Sequence, residues 1–203
     1  MKSLIIVGSL LFGLNSLALE VDKSKSEFKW QGTKVTGKHY GKVPVKSSKV
    51  EVDKKNNLKS GEIVLDLTQF TVDDLEGEWE KKFLTHLKSK DFFETSKWPT
   101  AKIVIEKLDG KNAHGKLTIR DKTHPVKIPY KKKGNKYTGQ LKFDRTKFGM
   151  IYGSGNFFKN LGDKMIHNDV TVDFAVVVAE KKAKETKASK KAKENKATKN
   201  GKK

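Results

Sequence analysis

The chain has 203 residues, no cysteine, and 44 Lys and Arg against 24 Asp and Glu, for a formal net charge of +20. The absence of cysteine excludes disulfides and thiol chemistry, and the charge points to anionic partners or to simple solubility. Two ends stand apart from the body by composition. Residues 1–18 read as a secretory signal: Lys2 is followed by the eleven-residue apolar run Leu4–Leu14 and by the small-x-small site Ser16-Leu17-Ala18. That run is shorter than the about 20 residues a membrane span needs. No cysteine follows the site, so a lipid-anchored lipoprotein is excluded. Residues 180–203 hold eleven lysines and three glutamates with no aromatic or branched apolar side chain. Such a segment buries too little surface to offset its ordering entropy, so the expectation is a disordered basic tail. One domain, 19–179, lies between them.

In chain order, Phe28 and Trp30 alternate with Lys29 and Gln31, and the segment Gly37-Lys38-His39-Tyr40-Gly41 follows. Val43, Val45, Val50 and Val52 then mark short strands before a turn at Lys54-Lys55-Asn56-Asn57. Glu62–Phe70 reads as a strand with Ile63, Leu65 and Leu67 on one face. The period changes over 73–90, where Leu75, Trp79, Phe83 and Leu87 recur every four residues beside Leu84. That stripe predicts a helix with Asp73 and Asp74 at its N-terminus, and Trp98-Pro99 prevents any continuation.

Strands resume at 101–106, 113–119, 126–130 and 137–143, with hairpin turns at Asp109-Gly110-Lys111-Asn112 and at Lys131–Asn135. The last strand is the clearest. Val170, Val172, Phe174, Val176 and Val178 alternate over nine residues and place five apolar side chains on one face. Before it, Gly149, Gly153, Gly155 and Gly162 are interleaved with Phe148, Tyr152, Phe157 and Phe158. This segment is expected to sit at a cavity mouth as a lid, or to form a plug packed by Phe157 and Phe158. About eight strands at ten-residue spacing with one helical insert argue for an all-β antiparallel barrel or sandwich.

Six stretches in order carry a resemblance. They are Val35–His39, His86–Phe93, Trp98–Ala101, Gly115–Ile119, Asp144–Gly149 and Gly162–Lys164. Together they resemble the YceI-like family over roughly residues 20–178. The resemblance implies a lipocalin-like antiparallel barrel that holds a long isoprenoid or similar lipid, a periplasmic home, and no catalytic residues. Two departures stand out. Lys82-Phe83-Leu84-Thr85 replaces an Arg-Asp pair common in the family, and Arg120-Asp121-Lys122 occupies a turn where glycine is usual.

No catalytic set emerges from the residues themselves. His39, His86, His114, His124 and His167 lack metal-site spacing, so no metal or other cofactor is expected beyond a bound lipid. Asp121, Asp144, Asp169 and Asp173 form no acid–base pair. Ser154 lacks the glycine frame of a nucleophile elbow. The expected ligand contacts are instead apolar: Phe28, Trp30, Leu65, Ile105, Leu117, Phe143, Phe148, Val172, Phe174 and Val176. His39, His86 and Arg145 are the expected polar head-group contacts. Scattered lysines without interleaved exposed aromatics argue against nucleic acid. The second reading is a non-enzymatic envelope-binding protein with a filled barrel, whose tail meets an anionic membrane or cell-wall polymer.

Overall fold

The computed structural model describes residues 17–180. Residues 1–16 of the expected leader and 181–203 of the expected tail lie outside the described residues. Among the described residues ten strands and one α-helix follow in the order β1 (Leu17–Leu19), β2 (Glu27–Lys34), β3 (Gly37–Lys42), β4 (Val45–Val52), β5 (Leu58–Asp66), α1 (Gly77–Lys88), β6 (Thr100–Leu108), β7 (Asn112–Ile119), β8 (Lys122–Lys133), β9 (Lys136–Asp144) and β10 (Ile166–Val177). The expected cleavage site therefore falls inside β1. Strand order is β1-β4-β5-β6-β7-β8-β9-β10-β2-β3, with antiparallel pairing throughout. The two strands beyond the expected eight are three-residue β1 and the short β3.

The sheet curls into a barrel, and one corner joins its ends. The Val43 amide donates to the Phe28 carbonyl of β2 at 3.0 Å, while the Pro44 carbonyl accepts from the Asp66 amide of β5 at 2.9 Å. Consecutive residues thus hydrogen-bond to strands far apart in the sheet order, which covers edges that would otherwise be left open. At the other end of the barrel Val21 bridges to Val178, and its amide donates to the Ser48 hydroxyl at 2.9 Å.

Alternation decides what fills the interior. In β6, Ala101, Ile103 and Ile105 are buried, and in β7 Ala113, Leu117 and Ile119 are buried. These residues meet in register as Ala101 opposite Ile119 and Ile103 opposite Leu117. Inward apolar side chains at period two supply one continuous core.

Three expectations are corrected. The helix begins at Gly77, which has φ +58°, rather than at Asp73, and Glu76 precedes it without a side-chain cap. Asp73 and Asp74 are used elsewhere: Asp73 accepts from the Thr71 hydroxyl, and Asp74 holds His39 and the Tyr40 amide. Trp79 is not part of the buried stripe. It is 73% exposed, because the shortened helix buries only its second half, where Leu87 is in the core and Phe83 and Leu84 pack against it. Finally, the strand expected over 62–70 ends at Asp66, where Asp66 accepts from the Thr68 hydroxyl and amide in a tight turn.

The β7–β8 turn explains one family departure. Arg120 has φ +56°, the left-handed region that costs a side chain roughly 1–2 kcal/mol. Its guanidinium donates to Glu94 at 2.8 Å and to the Gly149 carbonyl at 3.2 Å. Glycine would fit this backbone without strain, but arginine ties the turn to two neighbouring loops.

Candidate functional site

A cavity of about 420 Å³ occupies one end of the barrel. Its boundary runs across several strands at one level. Trp30 stands opposite Val172, Val172 opposite Leu141, and Ile103 opposite Leu117, and all five line the cavity. One inward position further along the same strands, Phe28 stands opposite Phe174, Phe174 opposite Gly139, and Ile105 opposite Gly115, and none of these lines it. Below that level the barrel is filled. Phe28 and Phe174 stack with ring centroids 6.3 Å apart. A Cβ at Gly139 would clash with the Pro129 carbonyl and come within 2.8 Å of the Phe174 ring, so the missing side chain admits both the neighbouring strand and that phenyl group. The barrel is therefore hollow at one end and packed at the other.

The wall is completed from outside the strands. Phe83 and Leu87 come from the second half of α1, Phe92 and Phe93 from the loop after it, and Phe70 from the loop after β5. Phe70 is edge-on to Trp30 at 6.5 Å and 5.7 Å from Phe93, so these rings form one aromatic shelf. The Trp30 indole N–H donates to the Thr71 carbonyl at 3.0 Å, which fixes its ring.

Polar groups gather at the open end. His39 Nδ1 lies 2.8 Å from Asp74, and its ring sits 4.2 Å from Phe83. His86 Nε2 lies 3.1 Å from Asp91, with its ring edge-on to Phe92 and Tyr152. His167 Nδ1 lies 2.7 Å from the Thr33 hydroxyl. Lys34, Asp163 and Lys164 carry the lining out to solvent.

Among the described residues Arg145 is the one buried cation of this wall, at 2% exposure. Local sequence puts it there. The Asp144 carboxylate accepts from the Thr146 amide and starts a 3-10 turn, and Gly149, at φ +81°, reverses the chain. Arg145 then donates to the carbonyls of Met150, Ile166 (3.1 Å) and His167 (3.1 Å). These three bonds use part of the five N–H donors of a guanidinium. Among the described residues no carboxylate lies within ion-pair distance of it. Burial presses its pKa below the ordinary value, with Asp144 opposing. A desolvated cation without a carboxylate in ion-pair contact can meet an acidic or strongly polar oxygen.

Of the residues singled out from sequence, the structure brings Trp30, Leu65, Leu117, Phe143, Val172, His39, His86 and Arg145 to the cavity. It places Phe28, Ile105 and Val176 buried in the packed end, with Phe174 half-buried against them, and Phe148 behind the wall, edge-on to Phe143 at 5.5 Å. These five are corrected from ligand contacts to core, because alternation selects a face of a strand and not a depth along it. The plug expected from Phe157 and Phe158 is also corrected: both rings are exposed, and Phe148 and Met150 are the packed residues of that segment. Sequence reasoning missed His167, Phe70, Phe92 and Phe93. The double phenylalanine after His86 was a visible signal. The other two depend on where β5 ends and β10 begins.

The profile of the YceI-like domain family matches residues 19–178. The chain belongs to the YceI-like family. Among solved structures, Burkholderia cenocepacia BcnA is similar with a TM-score of 0.59 and 23% identity, covering 79% of this chain and 99% of that one. A polyisoprenoid-binding domain from Saccharophagus degradans, implicated in plant cell wall breakdown, has a TM-score of 0.57 and 11% identity, covering 82% and 99%. At such identities the YceI-like likeness is one of fold. None of the curated proteins compared matches this chain. Among the described residues no group of three or more His, Cys, Asp or Glu could hold a metal ion.

Proposed function

We propose that this YceI-like chain binds one apolar, isoprenoid-like ligand in the hollow end of its barrel and carries or stores it in the periplasm. The observation that carries the reading is the cavity itself, about 420 Å³ walled by Trp30, Leu65, Leu117, Leu141, Phe143 and Val172. That volume lies within the range of small-molecule sites. A cavity of that size encloses a short isoprenoid segment. A longer chain would leave through the mouth past Tyr152. Each methylene taken from water contributes roughly 0.8 kcal/mol, so affinity needs few polar contacts. Arg145, His86 and His39 are the groups proposed to meet a polar head. The polyisoprenoid-binding relative supports the ligand class, and the apolar run Leu4–Leu14 with its small-x-small site supports export. A membrane or cell-wall role for the 180–203 tail remains part of this proposal through its eleven lysines.

Titration of lipid-stripped protein with a three-unit isoprenoid alcohol, followed by tryptophan fluorescence, tests the reading. Saturation at one ligand per chain is expected, through Trp30 in the wall. A signal that never saturates, or none at all, would count against it.

A further inference from the structure

Exposed apolar surface is concentrated at one end of this barrel. Among the described residues the exposed large apolar side chains are Val35 and Tyr40 on the β2–β3 hairpin, Trp79 on α1, and Ile151, Tyr152, Phe157 and Phe158 on the loop before β10. Each of these three elements also contributes to the cavity wall, through Lys34 and His39, through Phe83 and Leu87, and through Tyr152 and Lys164. Among the described residues no large apolar side chain of the packed end is exposed in this way.

The loop presents its rings from a built turn. Phe157 and Phe158 are 54% and 44% exposed, yet both amides donate to the Ser154 carbonyl at 3.0 Å, and Ser154 is fully buried. The Gly153 carbonyl accepts from the Ile166 amide at 2.8 Å, and the Met165 carbonyl accepts from the Val35 amide at 3.1 Å. Hairpin tip and loop are thus tied together. The packing available inside is already taken by Phe148 and Met150, each 1% exposed. Neither phenyl ring has a place in the core.

Charge indicates what covers this face. Segments 34–40 and 151–165 carry Lys34, Lys38, Lys159 and Lys164 against Asp163 alone. Aromatic rings flanked by lysines suit the boundary between lipid head groups and acyl chains, with the ammonium groups at the phosphates. A second copy would oppose the same four lysines to themselves, which disfavours a symmetric dimer through this face. Trp79 lies among Glu78, Glu80, Lys81 and Lys82, with the Lys82 ammonium 5.5 Å from its ring, so that corner has no net positive charge to add to an anion-seeking surface.

We propose that the β2–β3 hairpin tip and the 151–164 loop dock the mouth of the barrel on an anionic bilayer surface. The cavity would then open onto the membrane, and only this loading role rests on the ligand reading given above. The docking is carried by the folded barrel and is separate from any contribution of the lysine-rich tail.

Co-sedimentation of the full chain with phosphatidylcholine vesicles, with and without phosphatidylglycerol, tests the proposal at low and physiological salt. Wild type should bind the phosphatidylglycerol vesicles and weaken with salt. The double variant Phe157→Ser/Phe158→Ser should bind roughly tenfold more weakly or worse, through lost apolar insertion. Lys159→Glu should weaken binding to anionic vesicles alone. None of these three side chains lines the cavity, so titration with an isoprenoid alcohol in solution should be unchanged in the variants. Binding of the double variant equal to wild type would overturn the proposal and assign the affinity to the tail. A wild-type dimer in sedimentation that the double variant abolishes would overturn it in favour of a second copy. Failure of the alcohol titration in wild type, with vesicle binding still lost in the double variant, would remove the ligand reading and leave the docking surface standing.

Discussion

Phe28 and Phe174 face one another across β2 and β10, with ring centroids 6.3 Å apart, one inward position below the Trp30–Val172 pair that lines the cavity. The two phenyl groups mark where the hollow part of the barrel stops. Cutting Phe174→Ala should remove the ring that covers Gly139 and extend the cavity toward the packed end. A loss of about 3 kcal/mol in urea denaturation is expected for truncating a packed phenylalanine. Isoprenoid alcohols one unit longer than those wild type favours should gain affinity. An unchanged denaturation midpoint would contradict the placement of Phe174 in the core.

Arg145 joins three carbonyls that no other described side chain reaches: Met150, Ile166 and His167. Leaving a buried acceptor unsatisfied costs about 1–3 kcal/mol. Only the Met150 bond is fully buried, so Arg145→Met should lose about 1–3 kcal/mol, with faster hydrogen exchange over 150–167. Arg145→Lys should recover only a part, since one ammonium cannot reproduce the spread of a guanidinium. Full recovery by lysine would show that charge alone matters there.

Arg120 separates backbone strain from side-chain pairing. Both Arg120→Gly and Arg120→Ala lose the Glu94 ion pair, but only glycine relaxes at φ +56°. The glycine variant should be more stable than the alanine variant by about 1 kcal/mol. Denaturation curves that coincide, or that favour alanine, would contradict the assigned backbone.

Acid should weaken the fold through two turns. Hydrogen bonds from Ser24 and Lys25 hold the Asp22 carboxyl at about 2, against an ordinary 3.8. His114, then the backbone amides of Asn112 and Lys111, hold Asp109 well below the usual carboxylate range. Both are depressed in the folded state, so their stabilisation is present above the unfolded value and is lost as pH falls through the folded one. The denaturation midpoint should drop as pH is lowered from about 4 toward 2, and Asp109→Asn should make that drop shallower. A variant with the same acid profile as wild type would show that the turn contributes nothing.

Much of the barrel was legible because period two is a local property. Val170 to Val178 and Ala101 to Ile105 announce their inward faces from the residues alone. Depth was not legible. Val172 and Phe174 look alike in the sequence, yet one lines the cavity and the other packs below it, since the difference comes from Gly139 on a neighbouring strand. The helix shows a similar limit. Leu75, Trp79, Phe83 and Leu87 fit one stripe, but only the part facing the barrel is buried, and Trp79 lies beyond it. Arg145 was marked by its place in the Asp144–Gly149 segment. Its three carbonyl partners come from a chain reversal at Gly149 and from the start of β10, neither of which its own neighbourhood reveals.

The hollow end of the barrel is proposed to hold an apolar molecule. Native mass spectrometry of the full chain, purified without detergent, tests this directly when wild type is set beside Ala101→Phe, a substitution that puts a phenyl ring on the cavity wall. The expected result is a single bound apolar ligand on wild type, recoverable by organic extraction, and lower occupancy on Ala101→Phe with its fold intact by circular dichroism. Equal ligand occupancy on both proteins, or a wild type that neither carries nor takes up an isoprenoid alcohol, would contradict it.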